Sequence, residues 1–241
     1  MKVTRVAYSR NLNPGKYDLL LEQARRLGRV RSLVWDKYGS LAGVGVSDRQ
    51  VRDAWMADGT AASFGVLANA WKETVRDAVA DIRANREAAK GEVRRRIHGR
   101  PMADAERKRL YTLLKCDQWT GDPLLCRWMR QHWRRGRNHT ANQIIIRSDN
   151  VRAFTPHEGG DVWLKVPGLT PRDYVAVPLN TTVAPSGTLR VILRGGRVET
   201  DHQLPVLVGL PEDRLQRLRK VRGLRRHGHR NRYRRGHGFL P

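Results

Sequence analysis

Apolar residues change their period twice along this 241-residue chain. That double switch limits the possible folds more than any other feature. Val3 to Tyr8 is a short β-branched and aromatic run, closed by Asn11-Leu12-Asn13-Pro14-Gly15, which predicts a strand and a turn. Leu19, Leu20, Gln23, Ala24, Leu27, Val30, Arg31 and Val34 then recur at helical spacing. Ser47 offers an N-cap ahead of Val51, Ala54 and Trp55. The clearest helix runs from Phe64 to about Lys90; Asp104 to Lys115 and a segment from Pro123 to Trp133 are also helical in pattern. From Ile144 to Val208 the period becomes that of strands: 144–146, 151–155, 162–166, 174–177, 188–194 and 197–199. Gly195-Gly196 is a two-residue hairpin signal, because glycine takes φ > 0 freely. One early strand, a helical block and many later strands predict an α+β fold, a β-domain carrying a helical insertion.

Charge bounds the partners. Lys and Arg number 47 against 23 Asp and Glu, a net +24. This excludes a typical enzyme for small neutral metabolites and points to a polyanion. The excess is segregated: Arg214 to Pro241 holds 11 of the cations and no carboxylate, leaving the preceding chain at +13. With almost nothing apolar to bury, 211–241 is expected to be a disordered basic tail. No apolar run approaches the ~20 residues of a membrane span, and the start lacks a signal-peptide pattern. The expectation is a cytoplasmic, nucleoid-associated protein with no membrane partner. Cys116 and Cys126 form no CxxC pair, against a disulfide framework or a zinc ribbon.

Catalytic patterns are missing: there is no P-loop, HExxH, nucleophile elbow or dinucleotide fingerprint. No cofactor and no small-molecule substrate is expected. The i,i+4 carboxylates Asp77 and Asp81 are read as balancing Arg76 and Arg83. What remains is cations with aromatics. On the long helix, Phe64, Leu67, Trp71, Val75, Ala78, Val79 and Ile82 form one stripe, with Lys72, Arg76, Arg83 and Arg86 on another side. That basic side fits either a solvated face or a phosphate contact. Trp128, Arg130, Trp133, Arg134, Arg135, Arg137 and Asn138 crowd together. Arginines neutralise phosphates and flat rings stack on bases. Trp128 reads as core, whereas Trp133 fits the core or a stacking role equally. In 188–194, Leu189, Val191 and Leu193 share one side, and Arg190 and Arg194 lie on the other as further candidates.

Over about Met1 to Glu199 the chain resembles the N-terminal half of TnpB-type insertion-sequence proteins, the transposase-named relatives of type V CRISPR nucleases. The resemblance is carried by Val3-Thr4-Arg5-Val6-Ala7-Tyr8, by the phrase from Gly65 to Ala78, and by Met129 to Asn138. It continues in Pro178-Leu179-Asn180-Thr181-Thr182 and in Gly187 to Glu199. It implies a wedge domain with an oligonucleotide-binding-type β-barrel, made of a first strand in 1–15 and further strands in 143–210. A helical recognition lobe, 16–142, would be inserted between them. It implies guide RNA and DNA as partners, with Lys72, Arg76, Arg130, Arg134, Arg135 and Arg137 as candidate backbone contacts.

The chain departs from that pattern where the family continues into a RuvC-type nuclease. The Gly-x-Asp-x-Gly phrase that carries the family's first metal ligand does not occur. Two-metal hydrolysis needs closely placed carboxylates, and the last 28 residues have none. The expectation is a truncated TnpB-like protein that binds guide RNA or DNA and does not cut. The alternative is a non-enzymatic RNA- or DNA-binding protein with a functional Arg-rich arm. The basic tail is either such an arm or an out-of-frame reading of nuclease-domain codons.

Overall fold

The computed structural model describes residues 2–133 and 136–205; the basic tail expected over 211–241 lies outside them. Thr4–Leu204 form one compact unit. A second unit comprises Met1–Val3 and Pro205–Pro241, of which only Lys2, Val3 and Pro205 are described.

After strand β1 (Lys2–Tyr8), Asn13 caps helix α1 (Pro14–Tyr38) by accepting from the Gly15 amide at 2.8 Å. Pro14, which has no amide to leave unpaired, opens that helix. Its buried stripe is Leu20, Ala24, Leu27, Val30 and Val34, while Leu19, expected inside, is exposed. Helix α2 (Asp48–Ala57) starts with a full capping box between Ser47 and Gln50.

Helix α3 (Ala68–Gly99) differs from expectation at both ends. Gly65 sits at φ +61, a left-handed turn that stops helix from reaching back to Phe64. Phe64 still packs edge-on against Trp55 and Trp71, at 5.4 and 5.7 Å between ring centroids. At the other end the helix continues nine residues past Lys90. Ala89, Val93 and Ile97 keep the i,i+4 apolar spacing, and Pro101 follows its end. The 32 residues span roughly 48 Å at 1.5 Å each. Helices α4 (Asp104–Lys115) and α5 (Pro123–His132) match expectation.

Among the described residues there are seven strands: β1, then β2 (Gln143–Ile146), β3 (Arg152–Phe154), β4 (Trp163–Pro167), β5 (Tyr174–Pro178), β6 (Leu189–Arg194) and β7 (Arg197–Pro205). They make a four-stranded sheet ordered β1-β7-β6-β2 and a three-stranded sheet ordered β3-β4-β5. No closed barrel forms among the described residues. Residues 147–151, including a 3₁₀ turn at Ser148–Asn150, separate β2 from the short β3 without pairing. The sheets meet at one corner: Ser9 bridges Leu179, and Arg10 donates to Pro178 O at 3.0 Å. The β6–β7 hairpin turns through Gly195 and Gly196, at φ +55 and +76.

Two hydrophobic cores lie along α3. The first joins Trp55, Trp71, Val75 and Ile82 to α1 and to strand residues such as Leu164, Val177, Val191 and Val198. The second is helical: Ala89, Val93 and Ile97 meet Leu110, Leu114, Trp119, Leu125, Trp128, Met129 and Trp133. The return from α5 to β2 crosses α1 at Gly28, where an added Cβ would stand 2.8 Å from Ala141 Cα.

Candidate nucleic-acid interface

The charged side chains fall into inward and outward sets that local spacing did not separate. Arg31, at 3% side-chain exposure, pairs with Asp77 and, at 2.7 Å, with Asp81. Arg190 reaches the same Asp77 at 2.6 Å, and the Gln143 amide donates to it at 3.3 Å. The pair therefore balances Arg31 and Arg190, not Arg76 and Arg83. Its partners lie 46 and 113 residues away, beyond any helical-spacing rule. Burial pushes the Asp81 carboxyl up, the neighbouring Asp77 charge adds to that, and Arg31 and Arg190 only partly oppose it.

Between the two cores a second buried group forms. Lys90, 2% exposed, donates to Glu87 at 2.7 Å and to Asp117 at 2.6 Å. Arg86, expected on the basic side of α3, is instead buried, 3.7 Å from Asp117 and over the Trp133 ring. Burial works to raise the Asp117 carboxyl, but the Lys90 hydrogen bond and the Arg86 charge outweigh it and hold it below its ordinary value.

The remaining candidates divide as follows. Lys72 is half-buried, its Nζ 5.8 Å from the Trp71 ring centroid. Arg76 is exposed and only loosely held, 3.6 Å from Glu73. Arg130, Arg137 and Arg194 are exposed. Trp133 is 7% exposed and packs edge-on against Trp119 at 5.8 Å, so of its two readings the core position is the one found. Asn138 is occupied internally: its amide donates to Gly28 O, Ser32 Oγ and Thr140 O, and its oxygen accepts from the Thr140 amide. Arg190 is engaged with Asp77. Arg134 and Arg135 lie outside the described residues.

Sequence reading missed Arg96 and Arg100, which fall beyond the expected end of α3. Both are exposed, and both guanidinium groups lie over the Trp128 ring, at 4.9 and 5.5 Å from its centroid. Arg96 also bonds the Gln131 side chain. Arg127 and Arg130 are exposed on the neighbouring α5. A guanidinium resting on an indole keeps edge N–H donors for a phosphate, and the ring does not cancel its charge. The i,i+4 spacing of Arg96 and Arg100 was visible; the extension of the helix was the missing link. Among the described residues no three His, Cys, Asp or Glu side chains gather as a metal site requires, and no helix is long and apolar enough to cross a membrane.

In comparisons with known proteins, no family model and no curated sequence matches this chain.

Proposed function

We propose that the chain binds nucleic acid, a guide RNA and its DNA target in the manner of TnpB-like proteins, and contributes binding without cleavage. The observation that carries the reading is the Arg96–Arg100 pair stacked on Trp128. Both cations are exposed over the ring, and among the described residues no carboxylate pairs with either. Arg127 and Arg130 extend the charge along α5, and Arg76, Arg137 and Arg194 add exposed cations elsewhere. The same reading takes the strands as an opened oligonucleotide-binding-type barrel with the helices as an inserted lobe. Its support is the order β2-β6-β7-β1, the Ser9–Leu179 bridge one residue past the ends of β1 and β5, and then the order β5-β4-β3.

Binding is electrostatic on this account, so salt tests it. With six or more phosphates neutralised, affinity for a structured RNA falls by about 10³-fold or more between 50 and 200 mM salt. The double variant Arg96→Gln/Arg100→Gln lowers the slope of log K against log salt by about 2. No binding at 50 mM salt overturns the proposal. Purified protein with Mg²⁺ and RNA leaves labelled DNA intact; cleavage abolished by replacing one body carboxylate would reverse the second half.

A second reading, a non-enzymatic nucleic-acid-binding protein with an Arg-rich arm, is favoured by the concentration of charge in Arg214 to Pro241. Deleting 214–241 separates the two. The arm reading expects most of the affinity to go, the first reading only a minor share.

A further inference from the structure

The outward face of the three-stranded sheet carries a second pattern of rings and cations, remote in sequence from the helical arginines. Register fixes which side chains share that face. Arg152 pairs with Lys165, Phe154 with Trp163, and Pro167 with Tyr174. Their alternates Leu164, Val166, Val175 and Val177 are buried in the first core, so the backbone beneath the face is held firmly. Phe154 is 38% exposed and Tyr174 40%, large rings that burial would ordinarily remove from water. Phe154 and Trp163 lie side by side, 6.1 Å between centroids and tilted by 39°. Lys165 Nζ stands 5.0 Å from the Phe154 centroid, and the Arg152 guanidinium 5.5 Å from that of Tyr174. The three strands contain no Asp or Glu.

We infer that this face is a stacking platform for single-stranded nucleic acid. The inference rests on the nucleic-acid reading above and gives it a substrate class and a second location. Along the strand direction the face runs from a row of rings, Phe154 and Trp163, to a row of cations, Arg152 and Lys165, and on to the Tyr174 ring, as bases and phosphates alternate along a single-stranded nucleic acid. Neighbouring strands are about 4.8 Å apart, which gives the face room for two or three bases. Only unpaired bases offer their flat faces, so a duplex cannot use the rings. Charge selects the occupant: an interleaved Arg and Lys without carboxylates fit a polyanion and repel a basic partner.

A cleft of about 310 Å³ adjoins the platform, with Arg152 and Tyr174 on its rim. Within it lies Gln23, 1% exposed, whose side-chain oxygen accepts no hydrogen bond. A buried unpaired acceptor of this kind is costly unless a donor reaches it. A base displaced from the stack supplies such a donor, the N3–H of uracil or thymine or the exocyclic amine of the other bases.

The test uses the full chain and fluorescent 12-mers of oligo(U), oligo(dT) and a 12-bp duplex, read by anisotropy at 50 mM salt. Phe154→Leu/Tyr174→Leu removes two π-faces at nearly constant apolar bulk. It weakens binding to a single-stranded 12-mer by about 25-fold or more, at roughly 5-fold or more for each of the two lost stacks, and leaves duplex binding within 2-fold. Arg152→Gln/Lys165→Gln touches exposed side chains only. It reduces the single-strand salt slope by about 1.4, at ~0.7 per phosphate, so the proposal stays testable if the first variant folds poorly. The ratio of oligo(U) to oligo(dT) affinity tells an RNA platform from a DNA platform, and either supports the inference. Unchanged single-strand affinity in both variants overturns it and leaves the face to another occupant, such as an acidic protein surface. If Arg96→Gln/Arg100→Gln alone is then defective, the wider nucleic-acid reading survives; if the parent protein binds none of the three probes, that reading falls as well.

Discussion

The two ends of α3 solve the same problem with different material. At the first core, Trp71, Val75 and Ile82 pack with α1, α2 and residues from both sheets, so helix and strand share one interior. At the second, Ala89, Val93 and Ile97 pack with α4, α5, the turn bearing Trp119 and the loop residues Leu41, Val44 and Met102, and with no strand. Each end buries a cation beside its core. Arg31 belongs to α1 and is held by two carboxylates of α3. Lys90 belongs to α3 and is held by Glu87 and by Asp117, which lies in the turn after α4. The first group therefore ties elements together through α3, and the second ties a single connecting turn down onto it. The sheet-backed end has more independent restraints. The helical end depends on a few large rings and one turn.

The sharpest break between the ends comes from truncating a ring in each. Trp71→Ala costs roughly 3–5 kcal/mol by opening a cavity, and the loss appears as global destabilisation in a denaturant titration. Trp119→Ala costs a similar amount, but hydrogen exchange accelerates first in α4, α5 and the end of α3. Uniform acceleration across α1 and the strands after Trp119→Ala would mean the two ends unfold as one.

A smaller effect isolates the turn. Asp117→Ala removes the carboxylate shared by buried Arg86 and Lys90, leaving Lys90 only the half-exposed Glu87, and costs about 2–3 kcal/mol, discounted because Asp117 is partly exposed. Thermal denaturation measures it, and Lys90→Met in the same background recovers part of the loss. A change below 0.5 kcal/mol would show that the turn does not depend on this group.

Acid distinguishes the ends without mutation. Burial works to raise the carboxyls of Asp117 and of Asp122, the N-cap of α5 that accepts from the Leu125 amide and pairs with Arg109, each at 2.9 Å, but their hydrogen bonds and neighbouring cations win, so both lie below the ordinary 3.8. Their stabilisation is present above about pH 4 and is lost as the pH falls through the lowered folded values. Asp81 has the opposite sign: its raised carboxyl costs stability when ionised, and that cost is relieved as it takes up a proton. The helical end accordingly loses protection first as the pH drops below about 4, followed by hydrogen exchange at stepped pH. Simultaneous loss at both ends would contradict this assignment.

The smallest effect is expected at the surface. Lys72→Ala and Arg76→Ala change stability by under about 0.5 kcal/mol each, and weaken binding to RNA at low salt. Stability losses there comparable to that of Trp71→Ala would put those side chains in the interior.

Element type was legible from period alone wherever one face of an element is buried. The alternation Leu189, Val191, Leu193 and the stripe Leu20 to Val34 are direct records of burial. Ends were less legible. Phe64 keeps helical spacing with Trp71 but reaches it from outside the helix. The polar stretch around Lys90 hides about two and a half further turns, because Lys90 and Arg86 are themselves buried. Charge was the least legible layer, since an arginine gives no local sign of whether its partner is a distant carboxylate, a ring or water. Arg190 and Arg194 look alike in sequence, yet one is engaged with Asp77 and the other is exposed. The rings of β3, β4 and β5 did leave a signal, in that Arg152 and Phe154, Trp163 and Lys165 occupy alternate positions opposite buried ones.

The crossing of α1 by the segment leading into β2 has a consequence for how such a chain can diversify. Gly28 admits that segment, and the Asn138 amide fastens it to Gly28 and Ser32. The helical insertion is thus clasped at its base, a few residues before β2 begins to pair with β6. The far end of α3, with α4, α5 and the turn at Trp119, packs without any strand residue, so a change of length there is expected to leave the register of β2 against β6 in place. A single glycine with a single asparagine thus marks where the helices hand the chain back to the sheet.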